Sequence, residues 1–125
     1  MENKHGLVIN GGGVLGIAAV GALSELERVN LYDNFDEFAG ASVGALIVTA
    51  IALKAPFKYI KTMVSSLDFR KFFDDTPYDF GFWDTRRFLK KYGWFKGDEL
   101  YKFYKRSIKD LTGDEEITFL EAYEK

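Results

Sequence analysis

One serine of this chain lies between two glycines, in the order Gly40-Ala41-Ser42-Val43-Gly44. This G-x-S-x-G spacing, where a short apolar run meets a long apolar stretch, is typical of a tight strand-to-helix turn that holds a nucleophilic serine exposed. In such a turn, a side chain at Gly40 or Gly44 would collide with its surroundings. The N-terminus of the following helix favours negative charge, which helps an oxyanion to form. We therefore interpret Ser42 as an acyl-transfer nucleophile, with a simple helix N-cap in a glycine-rich turn as the alternative.

A second glycine cluster, at residues 11–16, reads Gly-Gly-Gly-Val-Leu-Gly and directly follows an apolar run. Its first, third and sixth residues form G-x-G-x-x-G, a pattern that also occurs in dinucleotide-binding sites. Such a site needs an acidic residue at the end of the second strand, whereas Asp36 and Glu37 come at the start of the predicted one. A nucleotide site and a purely structural glycine turn are therefore the two alternatives for this cluster.

The interpretation that we favour uses both glycine clusters together. Acyl transfer needs two backbone N–H donors aimed at the tetrahedral oxyanion, and consecutive glycines let a backbone approach that oxygen closely. One loop would present the nucleophile and the other the donors. The candidate oxyanion donors are Gly11, Gly12 and Gly13, and the further motif glycines are Gly16, Gly40 and Gly44.

The apolar pattern predicts the elements that must position these loops. In order, these are a strand at 6–10, the glycine loop, a helix at 17–29, a strand at 35–39, the Ser42 turn and a buried helix at 43–53. This is a βαβα unit of a parallel sheet in an α/β fold, with helices on both faces. Since the carboxyl ends of parallel strands meet at one edge of a sheet, we expect both loops at that edge.

The rest of the chain is predicted to be mostly helical, with one irregular segment. The predicted elements are, in order, a helix with Pro56 in its first turn, a turn capped by Asp68, a loop at 74–84, a basic helix at 85–92, an amphipathic helix capped by Asp98 and a last helix opened by a capping box at 118–121.

Composition excludes several classes of function. The chain is 47% hydrophobic with a net charge of −2, so it is globular and lacks the basic charge of a nucleic-acid-binding domain. It contains no Cys, which excludes thiolate metal sites, and we expect no cofactor. The N-terminus lacks a signal-peptide pattern, and the apolar stretch at 39–53 is shorter than the roughly 20 residues of a transmembrane helix. We expect a location in the cytoplasm or peripheral to an intracellular membrane.

Only two convincing strands are predicted. A two-stranded parallel sheet is not a stable scaffold by itself, because parallel sheets need cover on both faces and usually more strands. We therefore expect residues 1–125 to be the N-terminal portion of a single, larger α/β domain.

Together, the motifs at residues 11–16 and 40–46 resemble those of the patatin-like phospholipase family. Further similarity lies at residues 94–100 and 118–121, so that the resemblance runs from about Leu7 to the end of the chain. It implies a three-layer α/β lipid acyl hydrolase that uses a Ser–Asp dyad without histidine. By this resemblance Ser42 is the nucleophile, the loop of Gly11, Gly12 and Gly13 holds the oxyanion, and the substrate is a phospholipid or another acyl-lipid ester.

The chain departs from that family pattern at two places. Leu15 stands where the family commonly has a basic residue, so that less positive charge is expected near the oxyanion. The family carries its dyad aspartate in an Asp-Gly motif, and no Asp of this chain precedes a Gly. We expect the base beyond Lys125, because the single histidine, His5, precedes the first strand and belongs at the opposite edge of the sheet. Without a base, a serine is a weak nucleophile at neutral pH.

The irregular, aromatic-rich part of the chain carries two further candidates. Its acidic residues match no calcium-loop spacing and are interpreted as a solvated loop rather than a cation site; they are Asp74, Asp75, Asp79 and Asp84. Some of its aromatic residues do not follow the spacing of a helix. If the protein contacts a membrane peripherally, we expect these residues to make the contact, with the basic residues near the lipid headgroups. These are Tyr78, Phe80, Phe82, Trp83, Trp94 and Phe95, with Arg86, Arg87, Lys90 and Lys91.

Two alternatives to an acyl hydrolase follow from these observations. The first is a catalytically inactive module that binds lipid or another partner and keeps the front half of the family's fold. The second is a nucleotide-binding fragment. Loss of ester turnover in a Ser42→Ala variant distinguishes the hydrolase from the first, and tight binding of a dinucleotide would favour the second.

Overall fold

The computed structural model describes residues 5–72 and 97–124 of the chain. Within these residues two strands and five α-helices follow one another in an α/β arrangement. The elements are β1 (Gly6–Ile9), α1 (Gly16–Arg28), β2 (Glu37–Gly40), α2 (Val43–Ala52), α3 (Phe57–Ser65), α4 (Asp98–Thr112) and α5 (Phe119–Tyr123). Short 3₁₀ helices cover Gly13–Leu15, Tyr32–Asn34 and Phe69–Phe72.

The two strands pair in parallel, as the sequence predicts. In the register of the pair, Gly6 lies opposite Glu37 and Ile9 opposite Gly40. The N–H of Ala41 donates to the carbonyl of Ile9 at 3.2 Å, so that pairing continues to the start of the Ser42 turn. Both strands therefore end at the same edge of the sheet, and the two glycine clusters begin there side by side.

Helix α2 forms the centre of the core. It is apolar on all sides, and its buried residues pack on the sheet and on the neighbouring helices. Ile47 of α2 and Ile60 of α3 are both 0% exposed, and Leu23 of α1 is 2% exposed. A hydrogen bond of 2.7 Å between the hydroxyls of Thr49 and Tyr104 joins α2 to α4. The buried character that the sequence predicts for residues 43–53 is thus present in α2.

The two faces of the sheet differ. Ile9 is buried and Leu7 and Phe38 pack against the core, whereas Val8 is 76% exposed and its partner Ala39 is also exposed. Side chains alternate between the faces of a strand, so the core lies against one face only. In the described part of the chain, the helix layer expected on both faces is present on the face of Leu7 and Ile9.

Most element boundaries lie within two residues of the predicted ones, and the differences have local causes. Asn30 takes a positive φ of 57° just after α1, as suits a helix stop. Pro56 precedes α3 as its N-cap rather than lying in its first turn. Helix α4 begins after Gly97, whose φ is 79°, and no side chain caps it, so the expectation that Asp98 is the N-cap is wrong. Asp98 is instead the first helical residue, where its charge suits the helix dipole.

Two smaller capping predictions are confirmed. Thr118 and Glu121 form the capping box that opens α5, with the Thr118 N–H donating to Glu121 Oε2 at 2.8 Å and the Glu121 N–H to Thr118 Oγ1 at 3.3 Å. Asp68 Oδ1 accepts the N–H of Arg70 at 3.2 Å in the turn after α3.

The loop at 74–84, the basic helix at 85–92 and all the acidic, aromatic and basic candidates between Asp74 and Phe95 lie outside the described residues. Among those that are described, no helix combines the length and the apolar character that crossing a membrane requires.

Candidate active site

The backbone of Ser42 has an unusual conformation. Its φ is 51° and its ψ is −125°, a combination that non-glycine residues adopt rarely and at a cost of about 1–3 kcal/mol. An ordinary N-cap residue has β-region dihedrals and accepts a backbone N–H with its side chain. The Ser42 side chain makes no such capping bond, and the residue is exposed. Ser42 thus occupies the N-cap position of α2 without the dihedrals or the side-chain bond of an ordinary N-cap.

Two glycines make room for this turn. A Cβ on Gly44 would lie 2.2 Å from the carbonyl oxygen of Ile9, and a Cβ on Gly40 would lie 2.5 Å from the carbonyl oxygen of Gly44. Both contacts are with backbone atoms, which cannot rotate out of the way as a side chain can. The first turn of α2 thus lies directly against the end of β1, and only glycine fits at either position.

The glycine loop at 11–16 lies against the same turn at both of its ends. A Cβ on Gly11 would be 3.0 Å from the Cβ of Ser42, and a Cβ on Gly16 would be 2.9 Å from Cγ1 of Val43. Gly13, between them, has a φ of 54°, which favours glycine. The structure therefore brings Ser42 together with the loop that carries the three predicted oxyanion donors.

The donors of this loop are not equivalent. The N–H of Gly11 donates to the side-chain oxygen of Asn10 at 2.9 Å. This N–H group therefore already has an acceptor, the neighbouring Asn10 side chain. Asn10 was not predicted as a site residue, although a polar residue between a buried strand and three glycines indicates a place in the glycine loop. Val43 was not predicted either. As the first residue of α2 its N–H has no acceptor within the helix, and it follows Ser42 directly.

Other polar candidates lie at the far end of the sheet. The carbonyl of His5 accepts the N–H of Asp36 at 2.9 Å, and Glu37 lies opposite Gly6 at the amino end of the pair. His5 is thus placed away from Ser42, as expected, and neither acid lies where a ribose-binding residue would be. Within residues 5–72 and 97–124, no group of three His, Asp or Glu side chains could hold a metal ion.

A cavity of about 310 Å³ opens at this amino end, between the end of α1 and the start of α3. Tyr32, Phe35 and Phe57 contribute to its wall, and the Tyr32 and Phe57 rings meet edge to face at 6.3 Å. Burial, together with the negative charges of Asp33 and Glu27, raises the pKa of Tyr32 to about 12. Ser42 does not line this cavity, so it is separate from the candidate active site.

Comparison with known proteins identifies the family. The family model for patatin-like phospholipases matches residues 7–123, a stretch that contains both glycine clusters. The chain belongs to the patatin-like phospholipase family. Members of this family act on lipid substrates, and the family is one of lipid hydrolases.

Two curated relatives of this patatin-like chain are uncharacterised proteins of Acanthamoeba polyphaga mimivirus. The first is 30% identical over 116 residues, covering 90% of this chain and 37% of the relative. The second is 32% identical over 80 residues, covering 62% of this chain and 22% of the relative. The chain therefore spans well under half the length of these curated relatives. No solved structure gives a significant match.

Proposed function

We propose that this chain is the N-terminal portion of a patatin-like domain that hydrolyses acyl-lipid esters with Ser42 as the nucleophile. The observation that carries the proposal is the exposed Ser42, held at a φ of 51° in contact distance of the glycine loop. A strained residue that the surrounding structure over-determines is a common property of active sites. Family membership supplies the lipid substrate class.

In the proposed reaction, Ser42 Oγ attacks the ester carbonyl and its proton passes to a base. The tetrahedral oxyanion accepts N–H bonds from the glycine loop and from Val43, as the nucleophile-elbow arrangement provides in acyl hydrolases. The bond from the carbonyl carbon to the lipid alcohol then breaks, and the alcohol leaves with a proton. Water attacks the acyl-enzyme, which releases a fatty acid and restores the Ser42 hydroxyl.

The N–H of Gly11 supports this reaction indirectly. Because it donates to Asn10 Oδ1, we propose that it fixes the start of the loop while Gly12 and Gly13 present the donors. Removing one such donor from an acyl hydrolase lowers kcat by roughly 10²–10³-fold.

A catalytically inactive lipid-binding module is the second candidate, and one observation favours it. The resemblance implies a dyad aspartate in an Asp-Gly motif, and no Asp in these 125 residues precedes a Gly. A protein that lacks this aspartate would hold the Ser42 turn without the base that activates it. Lipid vesicles would then be bound without being hydrolysed.

Release of fatty acid from phosphatidylcholine vesicles distinguishes the two candidates. Wild type, Ser42→Ala and the control Ser24→Ala would be compared in a form of the protein that carries the base expected beyond Lys125; Ser24 is an exposed serine in the middle of α1. The proposal expects release by wild type and Ser24→Ala and none by Ser42→Ala. Equal release by all three would refute the assignment of Ser42, and vesicle binding without release would favour the lipid-binding module.

A further inference from the structure

An exposed apolar patch lies beside the candidate nucleophile. Three residues at the end of the glycine loop and the start of α1 form it: Val14 is 72% exposed, Leu15 70% and Ile17 55%. We call Val14, Leu15 and Ile17 the apolar rim. The rim is close to Ser42 because both ends of its loop lie against the Ser42 turn: a Cβ on Gly11 would be 3.0 Å from the Cβ of Ser42, and one on Gly16 2.9 Å from Cγ1 of Val43.

The segments that build this edge of the sheet carry no ionisable side chain. Residues 6–24 and 38–53 contain no Asp, Glu, Lys, Arg or His. In residues 5–56 the ionisable side chains lie at position 5, between positions 25 and 37, and at position 54. The strand register and the direction of α1 and α2 place those positions toward the amino edge. Residues 5–56 are therefore polarised, with their charged side chains toward the amino edge and the apolar rim at the other edge.

We propose that the apolar rim docks on the hydrocarbon region of a lipid aggregate and so delivers the acyl ester to Ser42. The proposal rests on the proposed function, which makes an acyl lipid the substrate. Exposed apolar surface marks an interaction site, and hydrocarbon disfavours charged groups, which segments 6–24 and 38–53 lack. A protein partner on the rim, including a second copy of the chain, would bring no acyl ester to Ser42. A lipid surface covers the rim and supplies substrate by the same contact.

The absence of Cys from the chain allows a direct test with single fluorescent probes. An environment-sensitive fluorophore would be attached to Leu15→Cys and, as a matched control, to Leu31→Cys. Leu31 is also an exposed leucine, 44% exposed, but follows α1 at the amino edge. Both proteins would be mixed with phosphatidylcholine vesicles, with and without bromine atoms on the acyl chains.

We expect the probe at position 15 to shift to shorter wavelength on vesicles and to be quenched by the brominated chains, while the probe at position 31 does neither. Leu15→Gln should weaken vesicle partition about tenfold, since a leucine no longer enters hydrocarbon, and Leu31→Gln should leave it unchanged. Unchanged unfolding midpoints would show that both variants fold. No shift at position 15, or equal shifts at both positions, would overturn the proposal.

A shift at position 15 that appears without vesicles and grows with protein concentration would also overturn it, because a second copy would then cover the rim. The same binding measurement on Ser42→Ala separates this proposal from the proposed function. Vesicle insertion at position 15, without Ser42-dependent ester hydrolysis in the form that carries the base expected beyond Lys125, would support docking and refute only the hydrolase. Ser42-dependent hydrolysis of a soluble short-chain ester, without insertion, would refute only the docking.

Discussion

A methyl group added at Gly44 tests the steric account of the Ser42 turn. In Gly44→Ala the new Cβ would lie 2.2 Å from the carbonyl oxygen of Ile9, which is 0.8 Å inside the 3.0 Å that real Cβ atoms essentially never breach. The opposing atom belongs to the backbone of β1, so either α2 or the strand must move. Overpacking in a core costs about 1–3 kcal/mol, and we expect the free energy of unfolding to fall by at least about 2 kcal/mol.

Gly21→Ala is the matched control for this prediction. Gly21 lies inside α1, and a Cβ there would meet no atom within 4 Å. Alanine in a helix interior is favoured over glycine by about 0.5–1 kcal/mol, so this variant should be more stable than wild type. Urea unfolding followed by far-UV circular dichroism measures both changes. A Gly44→Ala variant as stable as wild type would refute the close approach of α2 to β1.

Three further predictions concern other parts of the chain. Ser42→Gly should raise the free energy of unfolding by about 1 kcal/mol, because glycine relieves the strained φ, whereas Ser42→Ala should not; equal stability of the two variants in urea would contradict the strain. The pKa of Tyr32, raised to about 12, predicts stability that is complete below pH 10 and is lost as pH rises through 12; unfolding midpoints of Tyr32→Phe should fall less over this range than those of wild type. Tyr104→Phe should cost about 1 kcal/mol by leaving the Thr49 hydroxyl unpaired, and the double variant with Thr49→Val should cost less than the sum of the single changes.

The sequence predicts the βαβα unit well because its signals are local. Apolar runs bounded by glycine mark β1 and β2, and the continuous apolar stretch after Ser42 marks α2. The order of these elements then places both glycine clusters at one edge, since parallel strands end together. The contact between Gly11 and Ser42 follows from this topology and needs no knowledge of side-chain packing.

Features that depend on backbone detail could not be predicted in the same way. The sequence predicts Asp98 as the N-cap of α4, whereas Gly97 takes that position with a left-handed φ. The hydrogen bond from Gly11 to Asn10 depends on how the loop leaves β1. The strained dihedrals of Ser42 reflect the packing of α2 against two strands, which a G-x-S-x-G pattern suggests but does not fix.

Covalent labelling by a fluorophosphonate, read residue by residue with peptide mass spectrometry, tests the central claim most directly. When a member of a serine-protease triad is removed, the oxyanion hole and substrate binding still accelerate the reaction roughly 10³-fold over the reaction in water. We therefore expect Ser42 to react with the probe at least about 100-fold faster than Ser24, even where its base is absent. That preference should disappear in urea, because it requires the folded turn. Labelling of Ser42 at the same rate as Ser24 in the folded chain would contradict the assignment of Ser42 as the nucleophile.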